Sequence, residues 1–472
     1  MRSSDHQSIH PSETVNVIVP VGAVGAGVRE ADVMRGLQMG AHAIACDAGS
    51  TDSGPAYLAT GKSKYSRDAV KSDLAVLMRA QATSGIPLLI GSCGTSGCDV
   101  SVDWMYDIAC EIAAENAIAP RIARLYSEQE PALMADASND GRVTPLPPMD
   151  STNPALFLEC DHIVALMGCE PYIEAVRAGA DVVLGGRTTD TAVIAAVPIM
   201  LGAGEGPAWH AGKTAECGGQ CTTRSREGGV IVRVGRDHFE VEPLSPANAC
   251  TPRTVAAHML YENSDPFRLI EPGGILDVER CTYTALDERV VRVTGSVFEP
   301  GPYTMKLEGA AAGRFQTIML VGIRDPHVLG EVDRFMSQML DYLRARVVTS
   351  MGLHEEEFDI SLRAYGWNAV EIARSEKHAP APSEIGLLFV ATADSQELAT
   401  RIAKTCNPAF FHMPLEAEQE LPSYAFPFSP AETERGPVFE FKLNHVIHVR
   451  HHSELVRSVP SPKLEAAHAS AA

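Results

Sequence analysis

The sequence predicts an α/β protein with an open, mostly parallel β-sheet and flanking helices, plus a smaller α+β module towards the C-terminus. Two observations carry this prediction. Short apolar, β-branched runs alternate with helix-like passages over residues 15–204, which is typical of a parallel sheet covered on both faces. From about residue 315 the order becomes strand, helix, strand, strand, helix, the order of a ferredoxin-like module.

Composition limits the class of protein. The chain has 472 residues, of which 45% are hydrophobic and 21% are charged, so a sizeable buried core is expected. Its formal net charge of −21 gives a surface that repels phosphate backbones and anionic lipid. We therefore expect neither a nucleic-acid partner nor a membrane partner. A small anionic substrate remains compatible, because one arginine or helix N-terminus can bind it locally.

Cysteine usage and the absence of targeting patterns predict a cytoplasmic location. The longest apolar runs are too short or too interrupted to span a membrane, and the first residues lack the apolar core of a signal peptide. The 11 cysteines are scattered and odd in number, which indicates free thiols in a reducing compartment. For a metabolic protein of this size we also expect a homo-oligomer.

The pattern divides the chain into four segments. They are a disordered arm over 1–14, an α/β core over 15–314 with an antiparallel insertion after about 205, an α+β module over 315–457, and a disordered tail over 458–472. The core strands are predicted at Val15–Val21, Ala41–Ala45, Pro87–Ile90, Arg121–Tyr126, His162–Met167 and Ala180–Leu184. Ligands of open parallel sheets bind at the carboxyl ends of such strands, so the loops that follow them are the candidate sites.

The loop after the second strand carries two carboxylates. Asp47 and Asp52 flank a Gly-Ser-Thr turn that includes Ser50 and Thr51. Such a pair could act as acid and base or hold a divalent cation such as Mg²⁺ or Mn²⁺. The alternative is that these side chains only cap the turn.

The segment Gly185–Thr191 is the strongest anion-site candidate. Arg187 can form a bidentate pair with a carboxylate or phosphate, next to Gly186, Thr188 and Thr189 at a predicted helix start. Asp190 could be an acid or base, or a helix cap.

The segment Gly91–Cys98 could cradle an anion through Gly94, Thr95 and Ser96, although it lacks the lysine of a P-loop. Cys98 is more often an inert buried thiol than a nucleophile in such a setting.

Further candidates lie on later loops. Glu170 and Glu216 could each be a general base or a solvated side chain, and Cys217 adjoins Glu216. His258 and Tyr261 are three residues apart, so on one helix they would share a face and could reach a substrate. The glycines of Gly22-x-x-Gly25-x-Gly27 do not match the dinucleotide fingerprint and fit a tight turn equally well.

Several of these passages resemble the acyclic terpene utilisation protein A family. The resemblance rests on CDAGSTDSGP (Cys46–Pro55), ADVVLGGRTTDTA (Ala180–Ala192), AECGGQ (Ala215–Gln220) and HMLYENSDPFRLIEPGG (His258–Gly274). NPAFFHMP (Asn407–Pro414) and FEFKLNHVIHV (Phe439–Val449) resemble the extra C-terminal module of longer members. The resemblance implies a catabolic enzyme acting on a carboxylate or its coenzyme A thioester, and it supplies no catalytic set.

Three functions stay open. The first is a lyase or hydratase acting on a small or branched unsaturated carboxylate or acyl-CoA, with carboxylates that move protons. The second is a hydrolase of an ester, amide or thioester, with Cys98, Cys217 or Ser96 as nucleophile and His258 brought close by the fold. The third is a non-catalytic binding subunit of a catabolic complex.

Overall fold

The computed structural model describes residues 13–260, 265–370 and 382–460. Tyr261 and most of the predicted arm and tail lie outside the described residues. The described chain forms two compact units: one contains the residues up to 311 and those from 440, and the other contains 312–439. From the sequence we placed this boundary at 314/315 and extended the module to 457.

The strands of the described chain are β1 (Val15–Val19), β2 (Ala43–Asp47), β3 (Leu88–Gly91), β4 (Ile122–Tyr126), β5 (Val143–Pro145), β6 (His162–Ala165), β7 (Val182–Gly185), β8 (Val230–Val234), β9 (His238–Pro243), β10 (Arg268–Glu271), β11 (Gly274–Asp277), β12 (Thr282–Ala285), β13 (Val291–Thr294), β14 (Val297–Pro300), β15 (Thr304–Ile323), β16 (Phe358–Tyr365), β17 (Ile385–Ala393), β18 (Thr433–His448) and β19 (Arg457–Pro460). The helices are α1 (Glu30–Gln38), α2 (Pro55–Thr60), α3 (Arg67–Ser84), α4 (Asp99–Glu115), α5 (Pro131–Asn139), α6 (Pro154–Leu158), α7 (Glu170–Arg177), α8 (Asp190–Met200), α9 (Glu205–Ala215), α10 (Pro252–His258), α11 (Pro326–Gly330), α12 (Val332–Met351), α13 (Gln396–Cys406) and α14 (Ala409–His412). Short 3₁₀ turns cover Thr51–Ser53, Gly218–Cys221 and Glu355–Glu357.

The first unit is built on a sheet whose described strands run in the order β12-β13-β9-β8-β1-β2-β3-β7-β4-β19. The strands β1, β2, β3, β7 and β4 are parallel. Antiparallel strands extend the sheet at both edges, and β8 and β9 correspond to the insertion predicted after residue 205. The predicted α/β fold is therefore confirmed.

Both faces of the parallel strands are buried, which explains their unbroken apolar sequences. In β2, Ile44 and Cys46 enter the core that α1, α3 and α4 cover. Ala43 and Ala45 enter the core that α5, α7, α8 and α9 cover. Because side chains alternate along a strand, helices on both sides of the sheet require apolar residues at every position.

The predicted strand at His162–Met167 corrects one expectation. It forms β6, but β6 pairs antiparallel with β15 and does not join the parallel sheet. A short buried apolar run identifies a strand without identifying its neighbour. This pairing places Glu308 opposite Val164, near the loops at the carboxyl ends of the parallel strands.

The second unit has the strand order expected of a ferredoxin-like module. Its sheet runs β16-β17-β15-β18, with antiparallel β16–β17 and β17–β15 pairs. Helices α12 and α13 pack on one face, where Phe335, Met339 and Phe389 are buried.

The strand β19 closes one edge of the sheet in the first unit. Residues 458–460, expected in the frayed tail, belong to β19, which pairs antiparallel with β4. Without β19, the backbone groups at this edge of β4 would be unpaired. The Arg457 guanidinium stacks on the Tyr126 ring at 3.9 Å, and this contact helps to hold β19 against β4.

Among the helices that the structure describes, none combines the length and hydropathy needed to cross a membrane.

Candidate active site

A cleft of about 600 Å³ opens in the first unit at the carboxyl ends of β1 and β2. The loops after these strands form part of its wall, and the start of α8 and the segment after α9 complete it. Among the residues predicted from the sequence, those that line the cleft are Asp47, Ser50, Asp52, Asp190, Glu216 and Cys217. Parallel strands thus bring together loops that are far apart in the sequence, as expected for an open α/β sheet.

Two carboxyl groups meet in the wall of this cleft. Asp47, the last residue of β2, is 4% exposed and hydrogen-bonds Asp190, the first residue of α8. Burial raises the pKa of Asp47 well above its usual range, and the charge of Asp190 raises it further. Burial also raises the pKa of Asp190, but Arg187 and the bond from Asp47 oppose the shift. Burial therefore favours a shared proton in this pair, and the upward pKa shift is larger for Asp47 than for Asp190.

The environment of the Asp47 Oδ1 atom favours the neutral form of this residue. It is buried, and it has no hydrogen-bond partner in the described part of the chain. A buried carboxylate oxygen without a donor is costly, whereas the carbonyl oxygen of a neutral acid is less so.

Arg187 is a buried positive charge beneath the cleft. Its side chain is 5% exposed, and its Nε donates to Glu308 Oε2 at 3.0 Å. Its other nitrogens donate, at 3.1–3.5 Å, to Ser92 Oγ, the Thr188 carbonyl, Asp190 Oδ1, Thr51 Oγ1 and Ser50 Oγ. Although burial opposes it, Arg187 and Lys306 lower the pKa of Glu308 to about 2. The guanidinium is thus held by hydrogen bonds within the chain. It influences the cleft by lowering the pKa of Asp190, which lines the cleft.

A second cluster of ionisable groups interacts electrostatically with Asp190. Lys213 Nζ donates to Glu216 Oε1 at 2.5 Å, and burial raises the pKa of Glu216 to about 8 although Lys213 opposes the shift. The Cys217 thiol, a Glu216 oxygen and a His258 ring nitrogen lie within 4.8 Å of one another. Burial, helped by Lys213, lowers the pKa of His258 to about 4, so the imidazole is neutral at pH 7. A half-buried thiol in the cleft therefore has a neutral base beside it.

Sequence reasoning missed five charged residues at or beside the cleft: Lys64 and Arg226, which line it, and Lys213, Glu271 and Glu308. Thr191 and Thr189 hydrogen-bond Glu271, and burial raises the pKa of Glu271 to about 7. Lys213 could have been found, because it precedes Glu216 by three residues in one helical passage. Glu271 and Glu308 carry no local signal, since each lies in a strand that follows the candidate loops by many residues.

The Gly91–Gly97 loop lies outside the lining of the cleft. Thr95 and Ser96 are fully buried, and Thr95 Oγ1 accepts the Lys64 backbone N–H at 3.0 Å. Ser96 Oγ contacts Cys98 Sγ at 3.2 Å. Gly94 packs against Ser101, where a Cβ would lie 2.8 Å from the serine Cβ. Gly94, Thr95 and Ser96 are therefore buried behind the cleft and do not line it.

The remaining predicted residues support the loop after β7. Gly186 packs against Ser127, and Thr188 Oγ1 hydrogen-bonds the buried Tyr172 hydroxyl at 2.8 Å. Thr189 caps α8 by accepting the Ala192 N–H.

Glu170 does not line the cleft either. It begins α7 and accepts a hydrogen bond from the Tyr303 hydroxyl at 2.7 Å.

The glycines after β1 form a turn fixed by a buried acid. The N–H groups of Gly25, Gly27 and Val28 donate to the Asp73 carboxylate at 2.7–2.9 Å. These donors are therefore engaged within the chain, which fits the strand-to-helix turn and not a pyrophosphate cradle.

Metal-ligating side chains converge at two places in the described ranges. One is Glu216, Cys217 and His258, of which Glu216 and Cys217 line the cleft, and the other is Cys98, Glu128 and His162 outside it. The Mg²⁺ or Mn²⁺ expected at Asp47 and Asp52 stays an expectation; both residues line the cleft, and Asp52 accepts a 2.7 Å bond from Ser50.

Comparison with known proteins gives one match. The family model described as acyclic terpene utilisation family protein AtuA matches residues 58–425. No curated protein and no solved structure matches the chain. The matched range contains Arg187, Asp190, Glu216 and Glu308, and it confirms the resemblance seen in the sequence. The chain therefore belongs to the AtuA family, whose role in acyclic terpene utilisation is a catabolic one.

Proposed function

We propose that this protein is an acid–base enzyme of terpene catabolism: a lyase or hydratase that moves water at a branched unsaturated carboxylate or its coenzyme A thioester. The observation that carries the proposal is the Asp47–Asp190 pair in the cleft. Adding water to a double bond conjugated with a carbonyl requires a base for the water and an acid for the carbon. A neutral carboxyl bonded to a carboxylate supplies both at one place.

The two members of the pair have different roles in this proposal. Asp190 is 29% exposed and faces the cleft, so it is the group that exchanges a proton with water or substrate. Asp47 is buried and replaces that proton through its hydrogen bond. Arg187 opposes full protonation of Asp190, and Glu308 fixes the position of the guanidinium. Arg187 and Glu308 are thus positioning residues.

Positive charge at the edge of the cleft supports an anionic substrate. Lys64 and Arg226 line the cleft, and both are exposed. On a chain with a net charge of −21, such residues give a local attraction for a carboxylate or phosphate. In the proposal they hold the charged end of the substrate while the unsaturated end reaches Asp190.

Mass spectrometry tests the proposal directly. The purified protein is incubated with branched unsaturated carboxylates and their coenzyme A thioesters, with and without Mg²⁺ or Mn²⁺. A gain or loss of one water on an otherwise intact compound, absent in Asp190→Asn, is the expected result. If no compound changes mass while one of them stabilises the protein against heat, the protein acts as a binding subunit and the proposal fails.

The geometry of Cys217 favours a hydrolase as a second candidate. Its thiol lines the cleft and lies within 4.8 Å of His258 and Glu216, a nucleophile beside a neutral base. Attack of the sulfur on a thioester would give an acyl-enzyme and free coenzyme A, and water would then release the acid. Free coenzyme A in the same incubations, lost in Cys217→Ser and kept in Asp190→Asn, would select this function over the first.

A further inference from the structure

A cluster of sulfur, nitrogen and oxygen ligands lies apart from the cleft. Cys98 immediately precedes α4, Glu128 follows β4, and His162 begins β6. The thiol sulfur, a carboxylate oxygen and a ring nitrogen of these residues lie within 4.8 Å of one another. None of the three lines the cleft.

Contacts within the first unit hold the three side chains in place. Glu128 Oε1 lies 2.5 Å from His162 Nδ1, and Glu128 Oε2 accepts the Asp99 N–H at 2.7 Å. The Ser96 and Ser101 hydroxyls lie 3.2 Å and 3.1 Å from Cys98 Sγ. The Ser101 hydroxyl donates to the Gly61 carbonyl at 3.0 Å, which leaves Ser96 as the hydroxyl that can donate to the sulfur. The short Glu128–His162 contact places an oxygen ligand and a nitrogen ligand side by side.

Gly61 shows that the Cys98 sulfur and the His162 ring border the same space. Its φ is +63°, and a Cβ there would lie 3.3 Å from Cys98 Sγ and 3.8 Å from His162 Nε2. The same Cβ would lie 2.5 Å from Val100. A residue with a side chain would therefore intrude between the sulfur and the imidazole ring.

The cluster also has a second carboxylate beside it, that of Asp99. Asp99 Oδ2 pairs with Arg457 at 2.7 Å, but Asp99 Oδ1 is buried and has no hydrogen-bond partner among the described residues. Two carboxylates, Asp99 and Glu128, therefore face one arginine and one histidine. Because Asp99 and Glu128 interact electrostatically, the charge of both carboxylates would favour a cation at the cluster.

The burial of Cys98 distinguishes it from a catalytic cysteine. Cys98 is 0% exposed, so a substrate-sized electrophile does not reach its sulfur. The side chains of Glu128 and His162 are each 21% exposed, which opens a path for an ion. Sulfur, imidazole and carboxylate together are the ligand set of zinc, whereas magnesium and calcium prefer oxygen alone.

We propose that Cys98, Glu128 and His162 bind one Zn²⁺ ion in the first unit, with the Asp99 carboxylate compensating its charge. Binding releases the thiol proton to solvent, because the thiolate is the ligand. The ion ties α4, β4 and β6 together, so it stabilises the fold and takes no part in the reaction proposed for the cleft.

The test uses the full chain after removal of metal with a chelator. Zinc is titrated by calorimetry, and cobalt is titrated by absorption, where a thiolate ligand gives a charge-transfer band. We expect about one ion per chain and a thiolate band, with Cys98→Ser abolishing the band and His162→Gln or Glu128→Gln weakening zinc binding by at least about 10-fold, the smallest loss seen even for partners that only orient a ligand. Cys110→Ser, within the helix α4 that Cys98 precedes, is the matched control and keeps the band.

Two results would overturn the proposal. One is the absence of stoichiometric zinc binding to the metal-free wild-type chain. The other is a band that survives Cys98→Ser and disappears in Cys217→Ser, which would place the ion in the cleft. If Cys98→Ser fails to fold, His162→Gln decides: zinc affinity equal to wild type in that variant also overturns the proposal.

Discussion

Asp47 and Asp190 meet as an acid and a carboxylate, although β2 and α8 contribute them from distant parts of the sequence. The buried Asp47 donates, and the more exposed Asp190 accepts. In the proposed reaction, this relationship places the proton on Asp47 and makes Asp190 the residue that meets the substrate.

Replacing Asp190 by asparagine keeps the size of the side chain and removes the base. We expect kcat to fall by about 100-fold or more, in the range for loss of a general acid–base group. The assay is water addition or loss followed by mass spectrometry. Asp107→Asn, at an exposed position of α4, is the control and should leave kcat unchanged. Equal activity in the two variants would contradict the role of Asp190.

Replacing Arg187 by methionine should destabilise the fold. Glu308 would then keep only Lys306 as a charged partner while buried. Removing one member of a buried ion pair costs about 3–5 kcal/mol, because the other charge is left uncompensated.

Urea denaturation measures this cost, and the double variant Arg187→Met with Glu308→Gln provides the comparison. We expect the double variant to be more stable than Arg187→Met, since no buried charge is left alone. If the single variant loses less than about 1 kcal/mol, the pair is not the buried electrostatic unit described above.

Glu271 should make the folded state less stable as pH rises. Its folded pKa is raised from 4.5 to about 7, mainly by burial, so folding favours the protonated form. Its favourable contribution is complete below pH 4.5 and is lost as pH rises through 7, by up to about 3 kcal/mol. Glu271→Gln should flatten this part of the curve and become more stable than wild type at pH 8.

The measurement is urea denaturation at several pH values between 4.5 and 8. Glu279→Gln, at an exposed position, serves as the control and should keep the slope of the wild type. A slope that Glu271→Gln leaves unchanged would show that another group sets it.

Two glycines with similar φ angles allow the cost of a left-handed backbone to be compared with the cost of a steric clash. Gly85 has a φ of +72° with open space around a would-be Cβ, whereas Gly97 has a φ of +66° with the Arg187 nitrogen 2.2 Å from that position. Gly85→Ala should cost about 1–2 kcal/mol, the penalty of the left-handed conformation.

Gly97→Ala should cost several times more and also reduce activity, because it displaces the loop that carries Arg187 and Asp190. Thermal unfolding compares the two proteins. Equal losses in the two variants would mean that the loop absorbs the contact.

Alkylation should distinguish Cys217 from the buried cysteines. It is half-buried and lines the cleft, whereas Cys46, Cys93 and Cys98 are fully buried. With iodoacetamide and peptide mapping, we expect Cys217 to react first and a cleft ligand to slow that reaction. Labelling of Cys98 at the same rate would show that the first unit opens more readily than its packing suggests.

The sequence was informative where local pattern decides structure. The apolar runs around Ala43–Asp47 and Val182–Gly185 identified strands, and their carboxyl ends identified loops that meet at the cleft. Asp47, Asp190, Glu216 and Cys217 could therefore be proposed without coordinates.

Contacts between residues that are distant in the sequence could not be predicted. Glu308 contacts Arg187 across 121 residues, through a strand that pairs with β6 and not with the parallel sheet. No periodicity in the sequence reports such a pairing. Likewise, loop position alone grouped Glu170 with the site, whereas its partner is Tyr303.

The position of β19 has a consequence for how the protein is made. This strand closes the edge of the sheet at β4, although β4 leaves the ribosome long before residues 457–460 are synthesised. During that interval the backbone groups of β4 stay open to other strands, including those of neighbouring nascent chains. We infer that the first unit completes its folding only after the whole 312–439 unit has emerged, so slow translation of that segment prolongs exposure to aggregation.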